Sequence, residues 1–95
     1  MAAYLIGEME VHDHEAYEEY KKLVSKAVEK YGGKYLVRGG TVKPLEGNWN
    51  PKRLVLIEFD SMEAAEKWYN SDEYKPAIKI RKNASSGKSI FVDGV

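Results

Sequence analysis

The sequence predicts an α+β domain with the element order β-α-β-β-α-(α)-β. Four short segments carry strand-type patterns of apolar residues, and two longer segments repeat apolar residues at helical spacing. Stretches rich in glycine, asparagine or proline separate these segments. The order is the split βαβ pattern of the ferredoxin-like fold, in which one antiparallel sheet of four strands carries both helices on one face.

The first third of the chain is predicted to form a strand, a long helix and a second strand. Along residues 4–11 (YLIGEMEV), every second position (Leu5, Gly7, Met9, Val11) lacks a polar side chain, which is the alternation expected of a strand. A helix over 13–31 follows, because Asp13 can cap its start and apolar residues recur at helical spacing. Gly32-Gly33 ends it, since glycine reaches positive φ without a Cβ clash. Residues 34–38 (KYLVR) form the next strand.

A loop over 39–51 leads to the clearest strand of the chain, residues 53–59 (RLVLIEF). Asp60 or Ser61 is expected to cap the next helix, which carries an alanine and aromatic stripe.

The end of the chain is predicted to add a short helix and a final strand. Ser71-Asp72 interrupts the second helix, and a third runs from Glu73 to about Lys82. The stretch ASSG indicates a turn, and residues 88–93 (KSIFVD) form the last strand.

Composition narrows the class of protein. The 95 residues form one domain, 1–95, and the 15 basic and 15 acidic residues give zero net charge, which argues against nucleic-acid binding. The absence of cysteine excludes disulfides and a thiolate metal site. No basic n-region opens the chain and no apolar run approaches a membrane span, so a cytoplasmic protein without a membrane partner is expected.

The strand patterns predict a homodimer. Strand 53–59 is apolar on both parities, whereas a sheet with one wet face normally alternates apolar and polar residues. Tyr4 and Ile6 extend the second apolar face, and the chain has no third layer to cover it. A second copy of the sheet would cover it, giving two sheets that face each other. The charged residues on the same parity, Glu8, Glu10 and Glu58, indicate a partly wet cavity or the rim of the interface, or else they lie at strand ends in solvent.

Three segments, RGG (38–40), LEGNWNPKRLVLIEF (45–59) and AAEKWYNSDEYKPAIKIR (64–81), resemble the domain-of-unknown-function family 1330 (DUF1330) of the dimeric α/β-barrel superfamily. The resemblance implies the ferredoxin-like fold and a homodimeric α/β barrel. It implies no reaction, because the wider superfamily includes cofactor-free monooxygenases, lactone isomerases, haem enzymes and ligand binders. Function must therefore be argued from the site.

The first candidate site follows strand 34–38. Arg38 precedes Gly39-Gly40, and the arginine could bind a carboxylate or phosphate while the glycines aim backbone N–H groups at it. The alternative is a structural ion pair from Arg38 to Glu46 or Glu58.

Trp49 and Arg53 belong to the following loop and strand. Trp49 is expected either to cover a pocket or to plug the end of a small core, and Arg53 could stack on it. Tyr74 and Arg81 lie seven residues apart on one side of the short third helix, and they either cover the same cavity or pack at its edge.

Glu58 is the candidate catalytic residue. Burial without a partner would raise the pKa of this carboxyl and suit a general base, whereas a salt bridge to Arg38, Arg53 or Arg81 would lower it. His12 and His14 are two apart, which places them on opposite sides of a strand, and no third ligand is evident, so no metal site is predicted.

Two functions are compatible with these residues. The first is a dimer that binds a small, partly apolar anion and that, if it is an enzyme, carries out proton-transfer or oxygenase-type chemistry without a cofactor. The second is a non-catalytic structural or interaction dimer with no ligand of its own.

Overall fold

The computed structural model describes residues 1–95 as one four-stranded antiparallel sheet with three helices. The elements are β1 (Ala3–Val11), α1 (His14–Lys30), β2 (Lys34–Arg38), β3 (Arg53–Phe59), α2 (Met62–Tyr69), α3 (Lys75–Ala84) and β4 (Ser85–Asp93). The strand order is β2-β3-β1-β4, so the ferredoxin-like fold is confirmed. None of the helices combines the length and the apolar composition needed to cross a lipid bilayer.

The helix starts follow from short polar side chains. The Asp13 carboxylate accepts a hydrogen bond from the backbone N–H of Ala16, which satisfies one of the free N–H groups at the start of α1. Of the two capping residues predicted for α2, Ser61 is the one used, because its hydroxyl accepts from the N–H of Ala64.

The last strand is longer than predicted, because β4 begins at Ser85, directly after α3, and the expected turn at ASSG is absent. The reason lies in β1, whose nine residues pair with β4 along their whole length, from Ala3 with Asp93 to Val11 with Ser85. The free carbonyl of Ala84 accepts hydrogen bonds from the N–H groups of His12 and Asp13, which continues the pairing past the strand.

One face of the sheet packs against the helices and forms the core. Its centre is aromatic: the rings of Trp68 and Tyr74 stack with centroids 4.3 Å apart, and Phe59 packs on Trp68 at 5.2 Å. All three side chains are fully buried, as is Ile57 on β3. These contacts join α2 and the start of α3 to the sheet.

The opposite face of the sheet, called here the open face, has no covering element. Ile6 on β1 pairs with Leu56 on β3 and with Ile90 on β4, so an apolar stripe crosses three strands. Ile90 is 60% exposed and Val92 is 40% exposed. The two-sided apolar pattern of β3 is therefore real, and only its helix side is buried within one chain.

Gly87 on β4 is required by the close pairing with β1. A Cβ at this position would lie 2.1 Å from the carbonyl oxygen of Glu8, which is backbone and cannot rotate away. Gly87→Ala should therefore destabilise the domain by about 1–3 kcal/mol, measured by chemical unfolding. Gly40→Ala is the matched control, since a Cβ there meets no atom within 4 Å and the change should be nearly neutral. Equal stabilities of the two variants would contradict the observed pairing.

Candidate functional site

Three arginines converge on the helix-covered side of the sheet. A bulge between Tyr35 and Val37 on β2 brings Arg38 opposite Val55, whose side chain faces the helices. Arg53 shares that parity on β3, and Arg81 approaches from α3. Together with Tyr17, Tyr20, Tyr35 and Tyr74 they line a cavity of about 20 Å³, called here the inner cavity.

None of these arginines forms a salt bridge. Arg38 donates to the hydroxyl of Ser25 at 2.7 Å and to the carbonyl of Lys21 at 3.2 Å, and its guanidinium lies 4.3 Å from the ring centroid of Tyr35. The guanidinium of Arg53 lies 5.4 Å from the Tyr17 ring centroid, and its buried Nε has no hydrogen-bond partner. The four salt bridges of the chain all join lysines to carboxylates, and one of these lysines, Lys21, also lines the inner cavity. The guanidinium groups of Arg38 and Arg53 are therefore held by neutral groups and remain able to bind an anion.

The buried end of the inner cavity contains two tyrosine hydroxyls. Those of Tyr20 and Tyr74 share a hydrogen bond of 2.9 Å, and both side chains are buried. Burial raises the pKa of Tyr20 and of Tyr74 above the usual value of 10.0. Burial also raises the pKa of Tyr35. These hydroxyls are therefore neutral hydrogen-bond donors at neutral pH.

A larger space, called here the outer cleft, adjoins the inner cavity at the corner where β1 meets α1. Its volume is about 400 Å³, and it shares Met9, Tyr17, Lys21 and Arg53 with the inner cavity. It also contains carboxylates, of which Glu18 pairs with Lys21 at 3.1 Å. Arg53 is therefore the arginine that borders both spaces.

Gly39 borders the outer cleft, and its lack of a side chain leaves space for the guanidinium of Arg53. Its φ is +72°, a left-handed conformation that other residues rarely adopt, and a Cβ there would lie 2.1 Å from Nη1 of Arg53. Gly40, in contrast, has open space around its Cα and contacts neither cavity.

Glu58 and Trp49 lie away from the arginines. Glu58 faces the open side of β3, where it accepts a hydrogen bond of 3.2 Å from the hydroxyl of Tyr4 and pairs in register with Lys34. This hydrogen bond raises the pKa of Tyr4. The ion pair considered between Glu58 and Arg38 is absent, because the bulge in β2 turns the arginine to the helix side.

Trp49 also approaches the open face. Its indole N–H donates to Glu8 at 3.1 Å, and the side chain is 57% exposed, so it does not plug the core of the single chain. The stacking considered between Arg53 and Trp49 is replaced by the contact of Arg53 with Tyr17.

The two histidines have different surroundings. The His12 ring shares a hydrogen bond of 2.9 Å with the hydroxyl of Ser86, and His14 borders the outer cleft. No group of three His, Asp or Glu side chains is placed to hold a metal ion.

Sequence reasoning placed Arg38, Arg53, Tyr74 and Arg81 among the candidates, and the structure brings these four together around the inner cavity. Met9 and Lys21 were missed. Met9 falls on the buried parity of β1, where a methionine is indistinguishable from any core residue until neighbouring cavities are seen.

The chain has one family match and several structural relatives. The model of DUF1330, a domain of unknown function, matches residues 2–95. No curated protein matches the sequence significantly. The RPA0582 protein of unknown function from Rhodopseudomonas palustris superposes with a TM-score of 0.79 at 18% identity, covering 99% of this chain and 82% of its own.

Two further solved structures share the fold at lower similarity. SnoaB, a cofactor-independent oxygenase from Streptomyces nogalater, superposes with a TM-score of 0.69 at 9% identity and covers 99% of this chain and 93% of its own. The de novo designed protein Foldit4 superposes with a TM-score of 0.64 at 14% identity over the whole of both chains. An enzyme and an artificial protein thus have this architecture in common, and the architecture alone selects no activity.

The buried tyrosine pair predicts a loss of stability in alkali. The folded state keeps both protons while the unfolded state releases them above pH 10, so stability should fall as the pH rises beyond that value. Replacing both residues with phenylalanine should flatten the decline by up to about 1.4 kcal/mol per pH unit for each tyrosine. Unfolding curves from pH 8 to 11 test this, and parallel curves for the wild type and the double variant would contradict it.

Proposed function

The chain belongs to the DUF1330 family, and we propose that it binds a small, partly apolar anion in the space between the sheet and helices α1 and α3. The observation that supports this most strongly is the composition of the inner cavity. Its lining contains no carboxylate and three arginines that form no salt bridge, while its one lysine, Lys21, is paired with Glu18 outside the lining. In a chain with as many acidic as basic residues, this separation leaves a local positive field for a negative ligand.

The volumes of the inner cavity and the outer cleft indicate which part of the ligand each can hold. A volume of about 20 Å³ admits a water molecule or one small polar group, whereas the outer cleft of about 400 Å³ admits a ring. The apolar part of the ligand therefore lies in the outer cleft, against Tyr17 and Met9. Its anionic group points inward to Arg53, with Arg38, Arg81 and the Tyr74 hydroxyl deeper in the cavity and Gly39 at the entrance.

The chemistry we propose for this site is proton transfer or oxygenation without a cofactor. SnoaB, a cofactor-independent oxygenase, has the same fold, so the fold is compatible with this chemistry, and support for it comes from the arginines and tyrosines of the cavity. An aromatic or enolic substrate reacts more readily once it is an anion, and arginines stabilise that anion while neutral tyrosine hydroxyls donate to a developing oxyanion. A non-catalytic dimer without a ligand is the alternative.

The open face carries a second candidate site. Glu58 accepts a hydrogen bond from Tyr4, and Trp49 donates to the neighbouring Glu8. If two sheets face each other, these groups lie between them, and Glu58 is then the general base for a ligand enclosed by the dimer. Because the two sites lie on opposite faces of the sheet, single substitutions distinguish them.

The homodimer is part of the proposal and is supported by the uncovered apolar stripe of the open face. Burying a few hundred Å² of such surface contributes several kcal/mol at about 25 cal/mol per Å². The acidic and basic residues at the ends of the stripe, Glu8 opposite Lys88 and Glu58 opposite Lys34, form a polar margin around it.

Loss of ligand binding in Arg53→Ala tests the helix-side site. With 2-naphthoate as the probe, we expect at least a tenfold weaker affinity by calorimetry, because a charged hydrogen bond contributes about 1.5–3 kcal/mol. Lys34→Ala removes one positive charge from the open face and should bind as the wild type does.

Two other results would argue against the helix-side site. Loss of binding in Glu58→Gln but not in Arg53→Ala would move the ligand to the open face. Absence of a thermal shift in the wild type with 2-naphthoate, phosphate and sulfate would favour the non-catalytic dimer.

Dissociation by Leu56→Asp tests the dimer. Leu56 lies at the centre of the open face opposite Ile6, so a carboxylate there would be buried without a partner in a face-to-face dimer. Sedimentation at micromolar concentration should show a dimer for the wild type and a monomer for the variant. Leu23→Asp on the exposed side of α1 should leave the dimer intact, and a monomeric wild type would refute the proposal.

A further inference from the structure

Met9 lies where three cavities meet on the helix-covered side of the sheet, and it also borders a fourth space of about 470 Å³ that Glu8, Glu10 and Lys88 line. It is buried, with 8% of its surface exposed, on the parity of β1 that faces the helices. It borders the inner cavity, the outer cleft and a third space of about 210 Å³ at the start of β4, called here the β4 cleft. The β4 cleft is lined by Arg81, Lys82, Ser85 and Ser89 among others.

No other residue borders all three of these cavities. Arg53 borders the outer cleft and the inner cavity, and Arg81 borders the inner cavity and the β4 cleft, but only Met9 borders all three. Met9 is therefore the one residue that the three spaces share.

The surrounding glycines make the space that Met9 fills. A Cβ at Gly7, two residues earlier on the same face, would lie 3.1 Å from the Met9 methyl group, and Gly87 pairs with Met9 directly on β4. The sheet thus has a gap on either side of this side chain. A methionine, with three rotatable bonds and no polar group, fills such a gap without closing it permanently.

We infer that the three spaces are parts of one groove that the Met9 side chain divides, and that Met9 thereby sets the length of the ligand that this protein accepts. The inference rests on the proposed function, since it concerns the same site. With Met9 in place, a ring in the outer cleft ends at the methionine and only its anionic group passes into the inner cavity. Without the side chain, the rings of a longer planar anion extend past position 9 toward the β4 cleft, while its anionic group stays beside Arg53 in the inner cavity.

The experiment compares benzoate with anthracene-2-carboxylate as probes. The quantity measured is the ratio of the affinity for anthracene-2-carboxylate to the affinity for benzoate. In Met9→Ala this ratio should be at least ten times the wild-type ratio. Burying roughly 55 Å² more apolar surface is enough for that factor. Met9→Leu keeps the volume of the side chain and should keep the wild-type ratio.

Val28→Ala is the matched control for a general loosening of the core. Val28 is 2% exposed and borders none of the three cavities, so this variant should lose stability without a change in the ratio. A ratio for Met9→Ala within twofold of the wild type would overturn the inference, as would an equal rise in Val28→Ala. Met9→Val removes less volume and provides the same test if the alanine variant does not fold.

A crystal structure of the variant tests the inference without any ligand. We expect one continuous groove from the outer cleft to the β4 cleft, and collapse of neighbouring side chains into the space would overturn the inference. If the wild type bound neither acid while the variant showed the continuous groove, the proposed function would fail and the role of Met9 as the dividing residue would stand.

Discussion

The sheet has two apolar faces and one layer of helices, and this imbalance governs the rest of the structure. Helices α1 to α3 cover one face and form a core centred on Phe59, Trp68 and Tyr74. The other face keeps Ile6, Leu56 and Ile90 side by side in solvent. A single chain of this length cannot cover both, so the free energy available from the open face depends on a second molecule.

The alternation of side chains along the strands also places Arg38 and Arg53 on the opposite face of the sheet from Glu58. One register shift in β2 turns Arg38 toward the helices, while Glu58 on the neighbouring strand points the other way. Arg53 joins Arg38 because residues 53, 55 and 57 share the helix side. Acidic groups on the open face are thereby kept away from the arginines by the thickness of the sheet, although the whole chain is neutral.

Much of the fold could be predicted from the sequence, because it depends on local patterns. The alternation in β1, the Asp13 cap and the glycine pair after α1 each act over a few residues. The start of β4 could not be predicted in this way, since Ser85 and Ser86 are extended only because β1 offers them hydrogen bonds. Of the site, the arginines stood out as residue types, but their grouping depended on a bulge that KYLVR gives no sign of.

Neutral contacts explain how Arg38 and Arg53 can lie close together without acidic partners. Tyr17 and Tyr35 each place a ring against a guanidinium, and Ser25 and the Lys21 carbonyl accept from Arg38, so the cations are oriented by groups that carry no negative charge. A carboxylate in any of these places would hold the side chain equally well and would cancel its charge. Orientation by neutral partners leaves Arg38 and Arg53 without a salt bridge, although Glu10 and Glu18 also line the outer cleft that Arg53 faces, and a bound anion would supply a directly paired negative charge.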